Sequence, residues 1–418
     1  MDDGALLRDF RACFAGLAAI GRDPETGGYH RLAWTDEDRA ARGWFAAQAA
    51  ACGLAVERDR NGNLWAWWHP RDGGEAAGAE AKALVLGSHL DTVPRGGAYD
   101  GALGVVAGFV AVSALRRRGL VPVRPVAVAA FAEEEGGRFG LATLGSRLLA
   151  GTLAPADALG RRDAGGVTVA EAMRGDRLDP DQAGSDPDLL DRLGEVVELH
   201  VEQGRGLVDL PAPLGVGRRV QPHGRWRLEL RGEANHAGTT RLGDRRDPTL
   251  PLATAITAAR ELAGRAGAVA TVGRILVEPN STNSVSGGVR AWLDARAPED
   301  AVLDRLLAAW RAEVAAAADE HGVEAELTCE SRSPAVELDP GLRARIAEVI
   351  AGLSLPAPEL DTAAGHDAAA LAGVVPTAML FVRNPTGASH TPAESASDED
   401  CALGCAALAA LVEAWACR

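Results

Sequence analysis

The chain has 418 residues, 47% of them hydrophobic and 4% aromatic, a length that suits two domains with cores of small aliphatic side chains. Its formal net charge of −15 and isoelectric point near 5.1 argue against nucleic acid or anionic membrane as a partner, because both would be repelled. The six cysteines are scattered without a Cys-x-x-Cys pair, which predicts reduced thiols, and no apolar run approaches the length of a membrane span.

The N-terminal segment MDDGALLRDFRACFAGLAAIGRDPE is predicted to be an amphipathic helix from the spacing of its Leu, Phe and Ala residues. It lacks the basic region and the long apolar region of a signal peptide. We therefore expect a cytoplasmic metabolic enzyme.

The first half of the chain alternates strands with helices. The runs LVLGSHL, VRPVAVAAF and EVVELHVEQ predict strands, and GALGVVAGFVAVSALRRRG predicts the helix that follows the first of them. This alternation predicts an α/β fold with a mainly parallel sheet covered by helices. The polar region 151–194 predicts surface structure with one short helix.

From about Pro213 the pattern changes to strand, helix, strand, strand and helix. That order is typical of a small α+β, ferredoxin-like unit with two helices on one face of its sheet. After about Ser333 the run VVPTAMLFVRN predicts a return to the first sheet. We expect a catalytic domain formed by residues 1–212 and 331–418, with an inserted lid and dimerisation domain at 213–330.

Polar side chains stand at the ends of four predicted strands. They are His89, Asp91 and Asp100 after the first strand, Glu133, Glu134 and Glu135 after the second, His200, Glu202 and Gln203 after the third, and His390 after the last. Because ligands of open α/β sheets bind beyond the carboxyl ends of the strands, we expect these side chains to converge on one crevice. Imidazoles and carboxylates together suit Zn²⁺ or a similar divalent ion.

Each of these residues alone has a simpler interpretation. A lone histidine is usually hydrogen-bonded in a core or on a surface, and we interpret His30, His69 and His321 in this way, with His223 undecided. A glutamate run is usually a solvated face, but EEEGG follows a buried strand, where three adjacent carboxylates repel one another unless cations neutralise them. Taken together, the four strand ends favour a metal site.

Several motifs lie between about residues 80 and 395, in the order SHLDTVPRGGAYDG, FAEEEGGRFG, ELHVEQG, ANHAGTT, STNSV with LDAR, GHDA and GASHTPAE. In sequence and order they resemble the amidohydrolase branch of the M20 metallopeptidase superfamily. That branch contains N-carbamoyl-L-amino acid hydrolases, allantoate amidohydrolases, ureidoglycolate amidohydrolases and related β-ureidopropionases. The resemblance implies a hydrolase with two metal ions in each subunit.

The resemblance also implies a set of metal ligands. His89 and His200 would each bind one ion, Asp100 would bridge the two ions, and Glu135 and His390 would complete the second. A bridging carboxylate holds two cations about 3.5–4 Å apart. Zn²⁺ and Mn²⁺ are the favoured ions, and Co²⁺ or Ni²⁺ would also suit this set.

Catalytic roles follow from the same resemblance. Glu134 would be the general base that activates water and returns the proton to the leaving nitrogen. Asp91 would accept the imidazole N–H of His89 and fix its tautomer. His236 would stabilise the oxyanion from a neighbouring subunit, which predicts a homodimer formed through residues 213–330.

Four residues are implied to bind a small ureido substrate that carries a carboxylate. Gln203 would contact its ureido group, His236 its scissile carbonyl, Asn283 would donate or accept a hydrogen bond, and Arg296 would clamp the carboxylate. The relatives that cleave peptides or acylated amino acids typically have an acidic residue at the position of His200, so the histidine favours ureido or amide substrates. Residues 362–367 read TAAGHD where SGAGHD is common, which leaves the shape of the pocket open.

The predicted reaction is hydrolysis of a linear C–N bond in a ureido or carbamoyl acid. Allantoate is the preferred substrate, with ammonia and a ureido acid as products, and an N-carbamoyl-L-amino acid is the alternative. An aminoacylase or dipeptidase is disfavoured by His200, and a binding protein without catalysis is disfavoured by Glu134, which such a protein would not need.

Overall fold

The structure, a computed structural model, describes residues 3–70 and 81–417. The chain forms two compact units, the first made of residues 1–219 and 337–418 and the second of residues 220–336. The smaller unit is thus inserted into the sequence of the larger one. Both units combine helices with a sheet, so the predicted α/β fold with an inserted α+β unit is confirmed.

The first unit contains most of the helices and strands. Its helices are α1 (Asp3–Ala18), α2 (Asp36–Ala51), α3 (Ala102–Arg117), α4 (Leu144–Ala150), α5 (Pro155–Ala158), α6 (Val169–Gly175), α7 (Pro187–Arg192), α8 (Gly206–Asp209), α11 (Pro340–Gly352), α12 (Asp367–Leu371) and α13 (Asp398–Ala416). Its strands are β1 (Ala55–Arg58), β2 (Leu64–Trp68), β3 (Ala83–His89), β4 (Val126–Phe131), β5 (Leu193–Val201), β6 (Leu214–Val220), β13 (Val336–Glu337), β14 (Glu359–Thr362) and β15 (Thr377–Val382).

These strands form one nine-stranded sheet in the order β1-β2-β4-β3-β5-β15-β6-β13, with β14 paired to β6. The central strands β4, β3, β5 and β15 are mutually parallel, and β2 and β6 flank them in antiparallel orientation. Every residue of β3, β4 and β15 is buried, as expected for parallel strands covered on both faces. The carboxyl ends of four adjacent parallel strands therefore lie side by side.

Helix α3 lies close against this sheet because two glycines face it. A Cβ atom at Gly104 would stand 2.2 Å from the carbonyl oxygen of Leu199, and one at Gly108 would stand 3.0 Å from Val128. The helix also packs against α1 and α13, whose apolar faces complete the main core. This close packing fixes the start of α3, which Gly101 separates from Asp100, against the end of β5.

The second unit contains strands and helices of its own. They are β7 (His223–Arg231), β8 (Asn235–His236), α9 (Thr249–Ala266), β9 (Val269–Glu278), β10 (Ser284–Val285), β11 (Gly288–Arg296), α10 (Asp300–Glu320) and β12 (Glu324–Ser333). Four strands form an antiparallel sheet in the order β12-β7-β11-β9. Alternate residues of β7 and β11 are buried with α9 and α10, so both helices cover one face of the sheet, as predicted.

Several elements differ from the sequence predictions. The predicted strand-helix-strand-strand-helix order lacks β12, the fourth strand of the sheet in the second unit. This strand lies at the edge of the sheet and most of its side chains are exposed, so its sequence has no apolar pattern. The region 151–194 has helices α5, α6 and α7 rather than one short helix. The hairpin of β1 and β2 is also absent from the sequence predictions.

All six cysteines are free thiols, as their scattered positions predict. Within residues 3–70 and 81–417, every helix is too short or too polar to cross a lipid bilayer.

Candidate metal centre

The candidate site lies at the carboxyl ends of β3, β4, β5 and β15. His89 is the last residue of β3, Glu134 and Glu135 follow β4, and His200 precedes the last residue of β5. His390 lies in the loop between β15 and α13 and has a left-handed φ of 57°, a conformation that a non-glycine residue adopts only where its surroundings fix it. The predicted convergence of the four strand ends is therefore observed.

Asp100 stands between two groups of ligand atoms. Its Oδ1 lies 3.3 Å from Nε2 of His89 and 3.2 Å from Nε2 of His200. Its Oδ2 lies 3.5 Å from Nε2 of His390, which is 3.2 Å from Oε2 of Glu135. Ligand atoms within each of the groups His89–Asp100–His200 and Asp100–Glu135–His390 lie within 4.8 Å of one another. His89 and His200 thus belong to the same group, which differs from the prediction that each binds one ion, and Asp100 is shared by both groups.

The tautomers of the two buried imidazoles suit a role as ligands. Nδ1 of His89 lies 3.0 Å from the carbonyl oxygen of Asp91, and Nδ1 of His200 lies 2.8 Å from that of Val201, so Nδ1 carries the proton in each ring. The N–H of Gly101 donates to Nε2 of His200 at 3.2 Å, which requires a lone pair on that nitrogen. Both Nε2 atoms therefore direct a lone pair toward Asp100.

The charge of the site also fits bound cations. Nε2 of His89 is buried without a hydrogen-bond partner. Burial raises the pKa of Glu134 well above its ordinary value, and burial raises that of Asp91 to about 6. For Asp100 burial acts in the same direction, but its interactions with the imidazoles of His200 and His89 outweigh burial and lower its pKa well below the usual range. An excess of buried carboxylates is costly without compensating positive charge, which divalent ions would supply.

Glu134 is buried, and its Oε2 lies 3.6 Å from Nε2 of His89. The carboxylate thus points to the first ligand group but is not a member of either group, as expected for a base beside the ligands. The main-chain N–H of Glu134 donates to Oδ1 of Asp91 at 3.2 Å, and that of Glu135 donates to Oδ2 of Asp91 at 3.1 Å. One aspartate side chain therefore fixes the backbone of both glutamates.

This contact corrects the predicted role of Asp91. The prediction assigns its carboxylate to the N–H of His89, but Oδ1 lies 3.7 Å from Nδ1, whereas the carbonyl oxygen of the same residue lies at 3.0 Å. The carboxylate already accepts hydrogen bonds from the main-chain N–H groups of Glu134 and Glu135, which follow β4. Asp91 therefore orients His89 through its backbone and the glutamates through its side chain.

A second anchor holds the segment between β4 and α4. Oδ1 of Asn63 accepts the N–H of Ala132 at 3.0 Å, and Nδ2 donates to the carbonyl oxygen of Gly145 at 3.2 Å. Asp59 in turn accepts the Asn63 amide at 2.7 Å. Both ends of the segment that carries Glu134 are thus tied to one fully buried side chain.

Gln203, predicted to contact the substrate, touches the shared carboxylate. Its Nε2 donates to Oδ2 of Asp100 at 2.8 Å and to Oγ of Ser389 at 3.1 Å, while its Oε1 is buried without a partner. The free oxygen would accept a hydrogen bond from a ureido N–H group. The contact to Asp100 shows that Gln203 also orients a candidate ligand.

Three predicted substrate residues lie in the second unit. Exposed His236 and Asn283 are neighbours there, because His236 pairs with Ser284 between β8 and β10 and Ala237 donates to the carbonyl oxygen of Asn283 at 2.9 Å. Arg296 ends β11, where its Nε donates to Oδ1 of Asp294 at 3.0 Å. A substrate carboxylate would bind the Arg296 guanidinium beside Asp294, or would replace Asp294 as its partner.

A buried polar layer behind His200 is absent from the sequence predictions. The Glu198 carboxylate accepts a hydrogen bond from the Ser88 hydroxyl group at 2.6 Å and another from the main-chain N–H of Ala368 at 2.8 Å. The ring of His366 lies 4.6 Å from that of His200 in an edge-to-face contact, and ligand atoms of Glu198, His200 and His366 lie within 4.8 Å of one another. The sequence signal for this layer is Glu198, an acidic residue inside the apolar strand EVVELHV, because a buried charge in a strand needs a specific partner.

The chain is similar to proteins that act on carbamoyl and ureido compounds. Residues 85–414 match the family described as peptidase family M20/M25/M40. The N-carbamoyl-L-amino acid amidohydrolase of Geobacillus stearothermophilus is 37% identical over 93% of both chains, and the allantoate amidohydrolase of Escherichia coli K12 is 32% identical over 95% of both. The crystal structure of an amidase of the hydantoinase/carbamoylase family from Burkholderia vietnamiensis has a TM-score of 0.88 and 32% identity, and the match covers 99% of this chain and 98% of that one.

Proposed function

Because the chain belongs to peptidase family M20/M25/M40, we propose that it is a metal-dependent amidohydrolase that cleaves a linear C–N bond of a small ureido or carbamoyl acid. The observation that carries the proposal is the shared position of Asp100 between the groups His89–His200 and Glu135–His390. In two-metal hydrolases the ions lie about 3.5–4 Å apart, a separation that one bridging carboxylate can span. We assign one divalent ion to each group, with Zn²⁺ or Mn²⁺ favoured and Co²⁺ or Ni²⁺ also suited.

Divalent ions bound at such a site supply Lewis acidity toward water and toward a carbonyl oxygen. Glu134 takes the proton from the attacking water and delivers it to the leaving nitrogen, a role that its burial beside His89 supports. Asp91 and Asn63 hold the backbone on which Glu134 is carried. The side chain therefore needs little reorganisation to transfer the proton.

We assign substrate recognition to four residues. Gln203 accepts a ureido N–H with its free Oε1, and Arg296 binds the carboxylate. His236 stabilises the oxyanion and Asn283 hydrogen-bonds the substrate. Their proximity, with His236 in β8 and Asn283 directly before β10, supports a joint role.

Two substrates compete within this class. The motifs of the sequence favour allantoate, whereas the higher identity to the Geobacillus enzyme favours N-carbamoyl-L-amino acids. The test is ammonia release by protein that has been stripped with a chelator and reconstituted with Mn²⁺ or Zn²⁺, measured on allantoate and on a series of N-carbamoyl-L-amino acids side by side. N-acetyl amino acids and dipeptides serve as controls.

Turnover of either ureido compound that depends on added metal supports the proposal and selects the substrate. Turnover only of N-acetyl amino acids or dipeptides would contradict it in favour of an aminoacylase or dipeptidase. Metal binding without turnover of any of these compounds would favour a metal-dependent binding protein.

We also propose that the chain forms a homodimer through residues 213–330, which act as lid and dimerisation domain. Strand β9 is an edge of its sheet, so its main chain can pair with a second copy, and it exposes the apolar side chains of Val269, Ile275 and Leu276. Light scattering combined with activity tests this assembly, and a monomer with full activity would contradict it.

A further inference from the structure

Glu394 is a buried carboxylate that holds the loop carrying Asp100. It is 5% exposed, and its Oε1 accepts the main-chain N–H of Tyr99 at 2.8 Å and that of Asp100 at 2.9 Å. It lies four residues after His390, in the same loop between β15 and α13. One short segment therefore supplies a candidate ligand and a contact to the backbone of the shared ligand.

The Asp100 loop is shaped around this side chain. A Cβ atom at Gly97 would stand 2.2 Å from Oε1 of Glu394, so only glycine leaves room for the carboxylate. Phe14 of α1 stacks on Tyr99, with 4.9 Å between the ring centroids. The loop is thus fixed by a carboxylate on its backbone and by an aromatic ring on its side chain.

The position of the Asp100 backbone decides where its two oxygens lie. Oδ1 faces His89 and His200 at 3.3 and 3.2 Å, while Oδ2 faces His390 at 3.5 Å. Ligand distances at a metal site tolerate only about 0.2 Å of deviation. A small shift of the main chain at Asp100 would therefore disturb both ligand groups at once.

The chemistry of Glu394 exceeds what a structural cap needs. Its second oxygen, Oε2, is buried without a hydrogen-bond partner, and an unsatisfied buried carboxylate oxygen is costly. A neutral amide or hydroxyl oxygen could accept the same two N–H groups at lower cost. Oε1 of Glu394 instead contacts the main chain of Asp100, the residue whose carboxylate both groups share, so the position of Glu394 affects both groups.

We propose that Glu394 is a positioning residue that fixes the backbone of Asp100, so that one carboxylate can serve both ion positions. The inference rests on the proposed function, since it concerns the ligands of the metal centre. Glu394 acts through the backbone of Asp100 and is not a member of either ligand group. The segment that carries Glu394 also carries His390, so it positions two of the three ligands of the second group.

The test is calorimetric titration of the chelator-stripped full chain with Mn²⁺ alone. Glu394→Ala removes both contacts and is expected to weaken Mn²⁺ binding about 10–100-fold, the usual effect of losing a partner behind a metal ligand. Glu394→Gln keeps an acceptor oxygen and is expected to bind more tightly than Glu394→Ala. Gly97→Ala displaces the carboxylate from the opposite side and is expected to reproduce the loss.

The matched control is Asp339→Ala. Asp339 likewise accepts a main-chain N–H, from Leu342 at 2.8 Å at the start of α11, so its loss costs stability without involving the site. A purely structural role for Glu394 predicts that both variants bind Mn²⁺ like the parent. Folding of each variant is checked by circular dichroism, and Glu394→Gln and Gly97→Ala carry the test if Glu394→Ala does not fold.

Parental Mn²⁺ affinity in folded Glu394→Ala or Gly97→Ala overturns the inference. This result is independent of substrate, so it differs from failure of the proposed function, in which the parent binds Mn²⁺ but hydrolyses no ureido compound. A parent that binds no divalent ion would overturn both proposals.

Discussion

Gly101 separates Asp100 from α3, and its replacement by alanine should disturb the metal centre through a single added methyl group. Its φ is +63°, and a Cβ atom there would stand 2.4 Å from Cε1, Nδ1 and Nε2 of His89. Ordinary carbon contacts are about 3.5–4.0 Å, so the imidazole would have to move by about 1 Å. The ring is fully buried and cannot turn into solvent.

The energetic cost has two parts. A left-handed conformation costs an alanine about 1–2 kcal/mol, and overpacking in a dense core adds about 1–3 kcal/mol. Gly119 offers a matched control, because it has a φ of +77° just beyond the other end of α3 and has no atom within 4 Å of an added Cβ. Gly119→Ala therefore carries the conformational cost alone.

Denaturant unfolding of the stripped protein should show a loss of about 2–5 kcal/mol for Gly101→Ala and about 1–2 kcal/mol for Gly119→Ala. Titration with Mn²⁺ should show a loss of affinity of at least about 100-fold for Gly101→Ala only, because displacement of a ligand exceeds the effect of losing its partner. Equal stability losses in the two variants, or parental Mn²⁺ affinity in Gly101→Ala, would refute the reasoning.

Three further predictions concern the base, its anchor and the ions. Glu134→Gln should lower kcat about 10²–10⁴-fold with unchanged Mn²⁺ affinity, measured by ammonia release and calorimetry, and parental activity would rule out the assigned base. Asn63→Ala should lower the free energy of unfolding by about 2–5 kcal/mol, because the N–H of Ala132 and the carbonyl of Gly145 lose a buried partner. A loss below about 0.5 kcal/mol in denaturant unfolding would contradict the role of Asn63 as an anchor. Saturation of stripped protein with Mn²⁺ at about 100 times Kd should stabilise it by about 2.7 kcal/mol for each ion, and an unchanged Tm would contradict a native metal centre.

The sequence predicts the elements whose apolar patterns agree with their burial. Strands β3, β4 and β15 are buried throughout, and their apolar runs identify them directly. Strand β12 is rich in polar residues and lies at an exposed edge of its sheet. Its formation depends on pairing with β7, and a local sequence pattern does not encode that pairing. The β1–β2 hairpin, by contrast, has an Asn-Gly pair in its turn, so a local sequence signal for it exists.

The candidate site divides in a similar way. The ligand groups follow from polar residues at the ends of parallel strands, a position that the strand pattern already defines. The contacts of Asp91 could not be predicted, because its carboxylate and its carbonyl lie close together and the fold decides which of them reaches His89. The contact between Glu394 and Asp100 joins residues that are distant in sequence, so it depends on the tertiary fold.

The shared role of Asp100 is tested by anomalous X-ray diffraction from crystals grown with Mn²⁺. Our account predicts two peaks for each chain, about 3.5–4 Å apart, one between His89 and His200 and the other between Glu135 and His390, with the Asp100 carboxylate bridging them. A single peak, or a peak bound by Glu198 and His366 instead, would contradict it.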